Sequence, residues 1–345
     1  MYKLTALIGI ACCVSSLASA TNVEPYIVNG SQADVVNFPA TASLFFDSAE
    51  FDNKFYPDSY CGGTILDDNH ILTAAHCVYD DEAARLFTVV VPQLQNESDF
   101  PSAGYIQRHR VSQIFYPSNY IDSSVELYPN DIAILKLETS LNLGISVSRA
   151  SNEDYRHLGG TFTAVGHGNT VTGHDLDDRL LQTNLDAADN STCQAAFVNG
   201  DTKITDKQIC FSGAFDNDTN LSNSTCNGDS GGPVYWSDGG ILYQVGITSF
   251  GPKNCGTGPV TSVFTEITDY ASWINRVLNG SESPSMTATD AERQAHIDQY
   301  GKITFISASE ANTTVSSQES GGGTLGWLSL LALLGLVTRK GRYSS

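Results

Sequence analysis

At 345 residues the chain has room for one large domain or two ordinary ones, so core size is not limiting. Its 18 Lys and Arg against 38 Asp and Glu give a net charge of −20, which excludes nucleic-acid binding through phosphate neutralisation and fits an acidic exported protein.

The first element in chain order is an export signal. Lys3 precedes an apolar run from Leu4 to Leu17, and Ala18-Ser19-Ala20 has the small-x-small pattern of a cleavage site, so signal peptidase is expected to remove residues 1–20. The run is shorter than the roughly 20 residues a membrane span requires. No leucine-led lipobox precedes Cys12 or Cys13. Six cysteines remain after cleavage: Cys61, Cys77, Cys193, Cys210, Cys226 and Cys255. An even count in an exported chain, with no C-x-x-C pair, points to disulfides rather than a metal, and leaves fifteen connectivities open.

After Thr21–Tyr26 comes Ile27-Val28-Asn29-Gly30, an apolar start followed by a turn signal. From there to about Phe264, short runs rich in Val, Ile, Thr and aromatics alternate with Gly, Pro, Asn and Asp clusters. Ser43–Phe46, Gly63–Leu66, Thr88–Val91, Ile132–Leu137, Phe162–Val165 and Leu242–Ser249 read as strands of an all-β barrel or sandwich. Asp269–Leu278 has apolar positions three or four apart and Asn279-Gly280 as a stop, and reads as a helix.

Three segments carry candidate chemistry. His76 stands in Leu72-Thr73-Ala74-Ala75-His76-Cys77, where small neighbours leave room for a substrate, although a histidine beside a cysteine is by itself a structural pattern. Asp131 directly precedes the alternating run Ile132–Leu137, a place where an acid often only ends a loop. Ser230 lies in Cys226-Asn227-Gly228-Asp229-Ser230-Gly231-Gly232-Pro233. Glycines there allow a tight turn whose N–H groups converge on a developing oxyanion. The same string taken alone is a polar surface turn.

These segments occur in one order together with Cys61-Gly62-Gly63-Thr64, Val165-Gly166-His167-Gly168-Asn169-Thr170, Thr248-Ser249-Phe250-Gly251 and Val263-Phe264-Thr265. In that combination the chain resembles the chymotrypsin-like (trypsin-like) serine endopeptidases, from Ile27 to about Leu278. The resemblance implies an all-β fold of two packed six-stranded antiparallel β-barrels with the site between them and a C-terminal helix. It implies Ser230 as nucleophile, His76 as base, Asp131 as orienting acid, and the N–H groups of Gly228 and Ser230 as oxyanion hole. No metal or other cofactor is implied, and protein or peptide substrates are. Also implied are the pairings Cys61–Cys77, Cys193–Cys210 and Cys226–Cys255, and a zymogen activated by cutting before Ile27, whose new ammonium pairs with Asp229. A catalytically silent binding protein or tethered adhesin on the same scaffold is the alternative, and the complete set of site residues argues against it.

Departures from the family pattern carry their own expectations. His167 and Phe250 stand where tryptophan is usual. Ser224, six residues before the nucleophile, replaces the aspartate that selects Lys or Arg; with Ser249, Gly251 and Ser262 it implies a slightly shortened apolar pocket and cleavage after Tyr, Phe, Leu or Met. Tyr26, before the activation bond, suits that pocket and suggests autoactivation.

The expected organisation is signal peptide 1–20, propeptide 21–26, protease domain 27–279, a Ser/Thr/acidic linker 280–320 with a short helix near Ala291–Gln299 and an apolar patch at Ile303–Ile306, and a tail 321–345. In the tail, Gly321-Gly322-Gly323 leads into the apolar run Leu325–Val337 and the basic finish Arg339-Lys340-Gly341-Arg342. It resembles the GlyGly-CTERM sorting signals of Gram-negative bacteria. That implies rhombosortase and the type II secretion system as partners, transient inner-membrane tethering, and a secreted or cell-surface location; an ordinary membrane anchor is the alternative.

Overall fold

The alternating sequences close into two barrels. The computed structural model describes residues 27–79, 81–158, 160–174, 177–197 and 203–300. The first barrel holds β1 (Thr41–Phe46), β2 (Cys61–Asp67), β3 (His70–Thr73), β4 (Thr88–Pro92), β5 (His109–Phe115) and β6 (Ala133–Leu137). They are hydrogen-bonded in the order β5-β4-β1-β2-β3-β6, and β5 pairs with β6 to complete the ring. The second holds β7 (Phe162–Gly166), β8 (Leu181–Ala188), β9 (Gln208–Gly213), β10 (Pro233–Asp238), β11 (Ile241–Phe250) and β12 (Ser262–Glu266). Its order is β8-β9-β12-β11-β10-β7, closed by β7 on β8. Every pairing within the barrels is antiparallel. The expected pair of six-stranded barrels is therefore present, and closure removes the open sheet edges that would template aggregation.

Each barrel is filled by its own inward-facing side chains. Leu44, Ile65, Leu72, Val90, Val111 and Ile134 fill the first. Phe162, Phe211 and Phe264 stack through the second, with ring centres 4.8 Å and 5.3 Å apart. The predicted C-terminal helix is present as α1 (Ala271–Leu278), preceded by a 3-10 turn Ile267–Tyr270 that takes up the expected first residues. Trp273, Ile274 and Val277 lie on one face of α1 and press into the core of the first barrel, so the end of the second barrel is bolted to the first.

The short helix expected near Ala291–Gln299 is present, longer than expected and packed on the first barrel, and a short strand precedes it. Met286–Thr287 adds as a short strand to β5, with Met286 opposite Ile114. The helix α2 (Asp290–Tyr300) then packs on the first barrel's outer helix Glu82–Phe87. Thr289 and Glu292 form a capping box: the Thr289 hydroxyl and N–H both donate to the Glu292 carboxylate, and Glu292 N–H donates back to the Thr289 hydroxyl. Among the described residues no helix is long and apolar enough to cross a membrane. The signal peptide, the propeptide, the Ile303–Ile306 patch and the tail 321–345 lie outside the described residues.

Candidate active site

His76 is set by two neighbours. It sits in a 3-10 turn, Ala75–Cys77, immediately after β3, and the Cys61–Cys77 disulfide ties that turn to the start of β2. Asp131 enters from the loop before β6 and is fully buried. One carboxylate oxygen accepts from His76 N–H at 2.9 Å, and the other pairs with His76 Nδ1 at 2.8 Å. Ser249 Oγ donates to that second oxygen at 2.5 Å. Thr265 Oγ1 holds the Asp131 carbonyl at 2.7 Å, so β12 of the second barrel fixes an acid belonging to the first. Burial alone would lower the His76 pKa; the charge and hydrogen bond of Asp131, with a smaller contribution from Asp122, outweigh it and raise the pKa.

Ser230 is fixed against the start of β2 and the end of β3, the strand that leads to His76, by close packing of its glycines. Its carbonyl accepts from Gly62 N–H at 2.7 Å, next to Cys61, and Thr73 Oγ1 binds Gly62 O at 2.8 Å. Gly231 lies so near Thr73 that an added Cβ would stand 2.1 Å from its hydroxyl. The Ser230 loop and the strand that precedes His76 are thus in direct contact. Gly228 has φ +99°, a conformation that favours glycine, and an added Cβ would come within 2.9 Å of Gly168 Cα.

The carboxylate of Asp229 is buried between Gly168 N–H, 2.9 Å from one oxygen, and Cys226 N–H, 2.8 Å from the other. A Cβ at Gly166 or Gly168 would stand 2.3 Å or 2.4 Å from that carboxyl group, which is why both residues flanking His167 are glycine. Ile27 and Val28 are fully buried; Val28 packs on the Cys226–Cys255 disulfide, and its carbonyl accepts from Ser224 N–H at 3.3 Å. The third bridge joins Cys193 to Cys210. Cys61, His76 and Cys77 cluster closely, but both sulfurs are committed to the disulfide, so the group serves to place His76 rather than to ligate an ion.

Ser224 and Ser262, the residues expected at the base of the substrate pocket, are both fully buried. Ser224 Oγ is turned onto backbone, donating to Thr261 O at 2.9 Å. Thr225, which the sequence reading passed over, donates from its N–H and its hydroxyl to Ser262 Oγ, at 3.1 Å and 2.9 Å. This bond links the segment leading to Ser230 to β12. Gly251 lies against Thr261, where a Cβ would meet its carbonyl at 2.9 Å. A second omission is an aromatic shelf. The Tyr128 ring is 6.2 Å from His76 and 5.8 Å from Phe250, which in turn is 5.4 Å from Phe197. No local motif marks Tyr128 or Phe197, because one comes from the loop before β6 and the other from the end of the helix Asn190–Phe197.

His167 is buried between the barrels, with Nδ1 3.2 Å from Ser43 Oγ and Nε2 without a hydrogen-bond partner. It lines a cavity of about 10 Å³, room for about one water, together with Gly62, Gly228 and Gly232. Burial pulls its pKa down to about 4; the nearby Gln95 backbone, then the charges of Asp178 and Asp177, oppose this without cancelling it. An unfolded histidine protonates near 6.5, so as pH falls from there towards 4 the unfolded state takes up a proton that the folded state refuses, and stability falls by about 3 kcal/mol. Urea midpoints of wild type and His167→Phe at pH 7 and pH 4.5 check this, and the variant is expected to lose distinctly less on acidification.

A family model described as Trypsin matches residues 27–274. Trypsin-1 of Astacus astacus is 30% identical over 250 residues, covering 72% of this chain and 98% of the relative. Chymotrypsin-like elastase family member 1 of Macaca fascicularis is 29% identical over 262 residues, covering 73% of this chain and 89% of its own. Among solved structures, neuropsin, a serine protease expressed in the limbic system of mouse brain, superposes with a TM-score of 0.56 at 25% identity, covering 72% of this chain and 98% of that one.

Proposed function

Because the chain belongs to the trypsin family of serine proteases, and is therefore a serine endopeptidase, we propose that its nucleophile is Ser230, its general base His76 and its orienting acid Asp131. The observation that carries this reading is the double contact of Asp131 with His76, at Nδ1 and at the backbone N–H. With Nδ1–H held by a carboxylate, Nε2 carries the lone pair and can take the Ser230 proton as Oγ attacks the scissile carbonyl. The imidazolium formed is stabilised by the buried Asp131 charge, then gives its proton to the departing amine. Water reverses the sequence to hydrolyse the acyl-enzyme. The N–H groups of Gly228 and Ser230 receive the oxyanion, an interaction whose loss costs roughly a hundredfold or more in kcat.

Cutting before Ile27 creates the active form. The freed ammonium pairs with the Asp229 carboxylate, and this orders the loop carrying Gly228 and Ser230. The burial of Ile27, Val28 and Asp229 supports this, since a buried ion pair can fix a conformation even when its net stability is small. The substrate's residue before the scissile bond is apolar, because Ser224 supplies no charge and the Thr225–Ser262 bond limits depth. The curated relatives compared above are animal proteins, whereas the sequence of the tail supports sorting to a bacterial surface with loss of residues beyond the glycines.

One preparation tests these steps together. A fluorophosphonate applied to the secreted protein is expected to form an adduct on Ser230, with the amino terminus at Ile27 and a mass lacking Leu325–Ser345. Ser230→Ala is expected to give the same fold without adduct or peptide hydrolysis, and undiminished hydrolysis by that variant would refute the assignment.

A further inference from the structure

The loop leading to Asp131 places an acid beside the aromatic shelf. Tyr128 N–H donates to Ser123 O at 3.1 Å, which folds the loop back so that Asp122 and Ser123 lie alongside Tyr128. Tyr120 OH donates to the Asp122 carboxylate at 2.9 Å, and Tyr120 is itself buried against Tyr79, ring centres 5.0 Å apart. Asp122 therefore has an anchored side chain although the residue is exposed. Its charge is felt by both neighbours: burial and then Asp122 push the Tyr128 hydroxyl upward, and on His76 Asp122 adds to the pull of Asp131 against burial.

An extended substrate paired with Ser249–Gly251 presents successive side chains to opposite sides. The residue before the scissile bond enters the pocket closed by Thr225 and Ser262. The residue one step further back then faces His76 and the Tyr128 ring. We propose that this second position is specific for a cationic side chain, Arg or Lys, held between the Asp122 carboxylate and the face of Tyr128. A guanidinium can stack on the ring and hydrogen-bond the carboxylate at once, and its aliphatic stem covers apolar surface on the way. An acidic side chain there meets like charge and is disfavoured. The pocket base selects an apolar residue and the shelf a cation, so the recognised substrate is a basic–apolar pair immediately before the cut.

The inference rests on the catalytic reading above, and the test separates the two. Two peptides are compared that differ only in carrying Arg or its neutral isostere citrulline at the second position, with an apolar residue at the first. Wild type is expected to favour Arg about tenfold in kcat/KM, the combined scale of a partly exposed ion pair and a cation–ring contact. In 1 M salt the ratio is expected to shrink, because an exposed charge pair is screened. In Asp122→Asn, which keeps an acceptor for Tyr120, the ratio is expected to fall close to one. Equal rates for the two peptides in wild type, or a preference that survives in Asp122→Asn, would overturn the proposal. Hydrolysis of neither peptide would instead count against the catalytic assignment.

Discussion

Replacing Asp131 by asparagine is expected to lower kcat about ten-thousandfold at neutral pH, roughly 5 kcal/mol of transition-state stabilisation, with the fold retained. The geometry dictates which way the amide turns. One carboxylate oxygen accepts from the backbone N–H of His76, which cannot rotate away, so the new NH2 group cannot sit there without opposing donors. It must take the other position, facing His76 Nδ1 and Ser249 Oγ. Both of those partners can adapt: the serine hydroxyl rotates, and the imidazole moves its proton to Nε2. That tautomer has no lone pair left to receive the Ser230 proton. With the Asp131 charge gone, the pull that raises the His76 pKa against burial is lost as well, so the acid limb of kcat/KM moves to lower pH. Steady-state kinetics from pH 5 to 10 read both effects, and a loss of less than tenfold would show that Asp131 does not set the tautomer. Ser249→Ala removes one of three hydrogen bonds to the same carboxylate and should cost far less.

The candidate site is readable in the sequence because each of its proposed members sits in a local context that constrains it. Gly228 and Gly231 flank Ser230 in the sequence, Cys77 adjoins His76, and a strand follows Asp131, so order and neighbours together were specific. The strands are legible as short runs rich in Val, Ile, Thr and aromatics bounded by turn residues, as in Phe162–Val165 and Thr88–Val91, whereas their arrangement as two barrels follows from the family resemblance. What was not legible depends on contacts between distant segments. Tyr128 and Phe197 meet Phe250 only once a loop, the helix Asn190–Phe197 and β11 converge. Thr225 is one hydroxyl in a polar string until β12 brings Ser262 to it. After Gly280 the short helix is legible in the sequence, but its packing on the first barrel and the strand before it are not, because α2 buries no apolar stripe of its own and its principal anchor is an arginine. The Thr289-x-x-Glu292 capping box was the available signal.

That arginine carries the second large effect. Arg293 is 1% exposed, and its guanidinium donates in three directions: Nε to Leu86 O at 2.7 Å, Nη2 to Val111 O at 2.7 Å, and Nη1 to Glu138 at 2.7 Å. Nη1 also reaches Asp290 at 2.8 Å, within the first turn of α2. One planar group thus joins α2, the helix Glu82–Phe87, β5 and the residue following β6. Arg293→Ala leaves the backbone carbonyls of Leu86 and Val111 without this donor, while Glu138 keeps Arg110 at 2.9 Å, and is expected to destabilise by about 3–5 kcal/mol. For a domain of this size that corresponds to a melting temperature lowered by roughly 10 °C. Arg293→Lys should recover little, since a single ammonium on a flexible stem cannot reproduce a fork aimed at separate acceptors. Truncation after Gly280 removes the same contacts along with the strand on β5 and the packing of Ala288 against Phe46, Leu86 and Phe87, so its loss should equal or exceed that of the point variant. Thermal melts of the three proteins decide the matter: if Arg293→Ala melts within a degree or two of wild type, the extension is an appendage, whereas the expected drop makes residues 281–300 part of the protease domain itself.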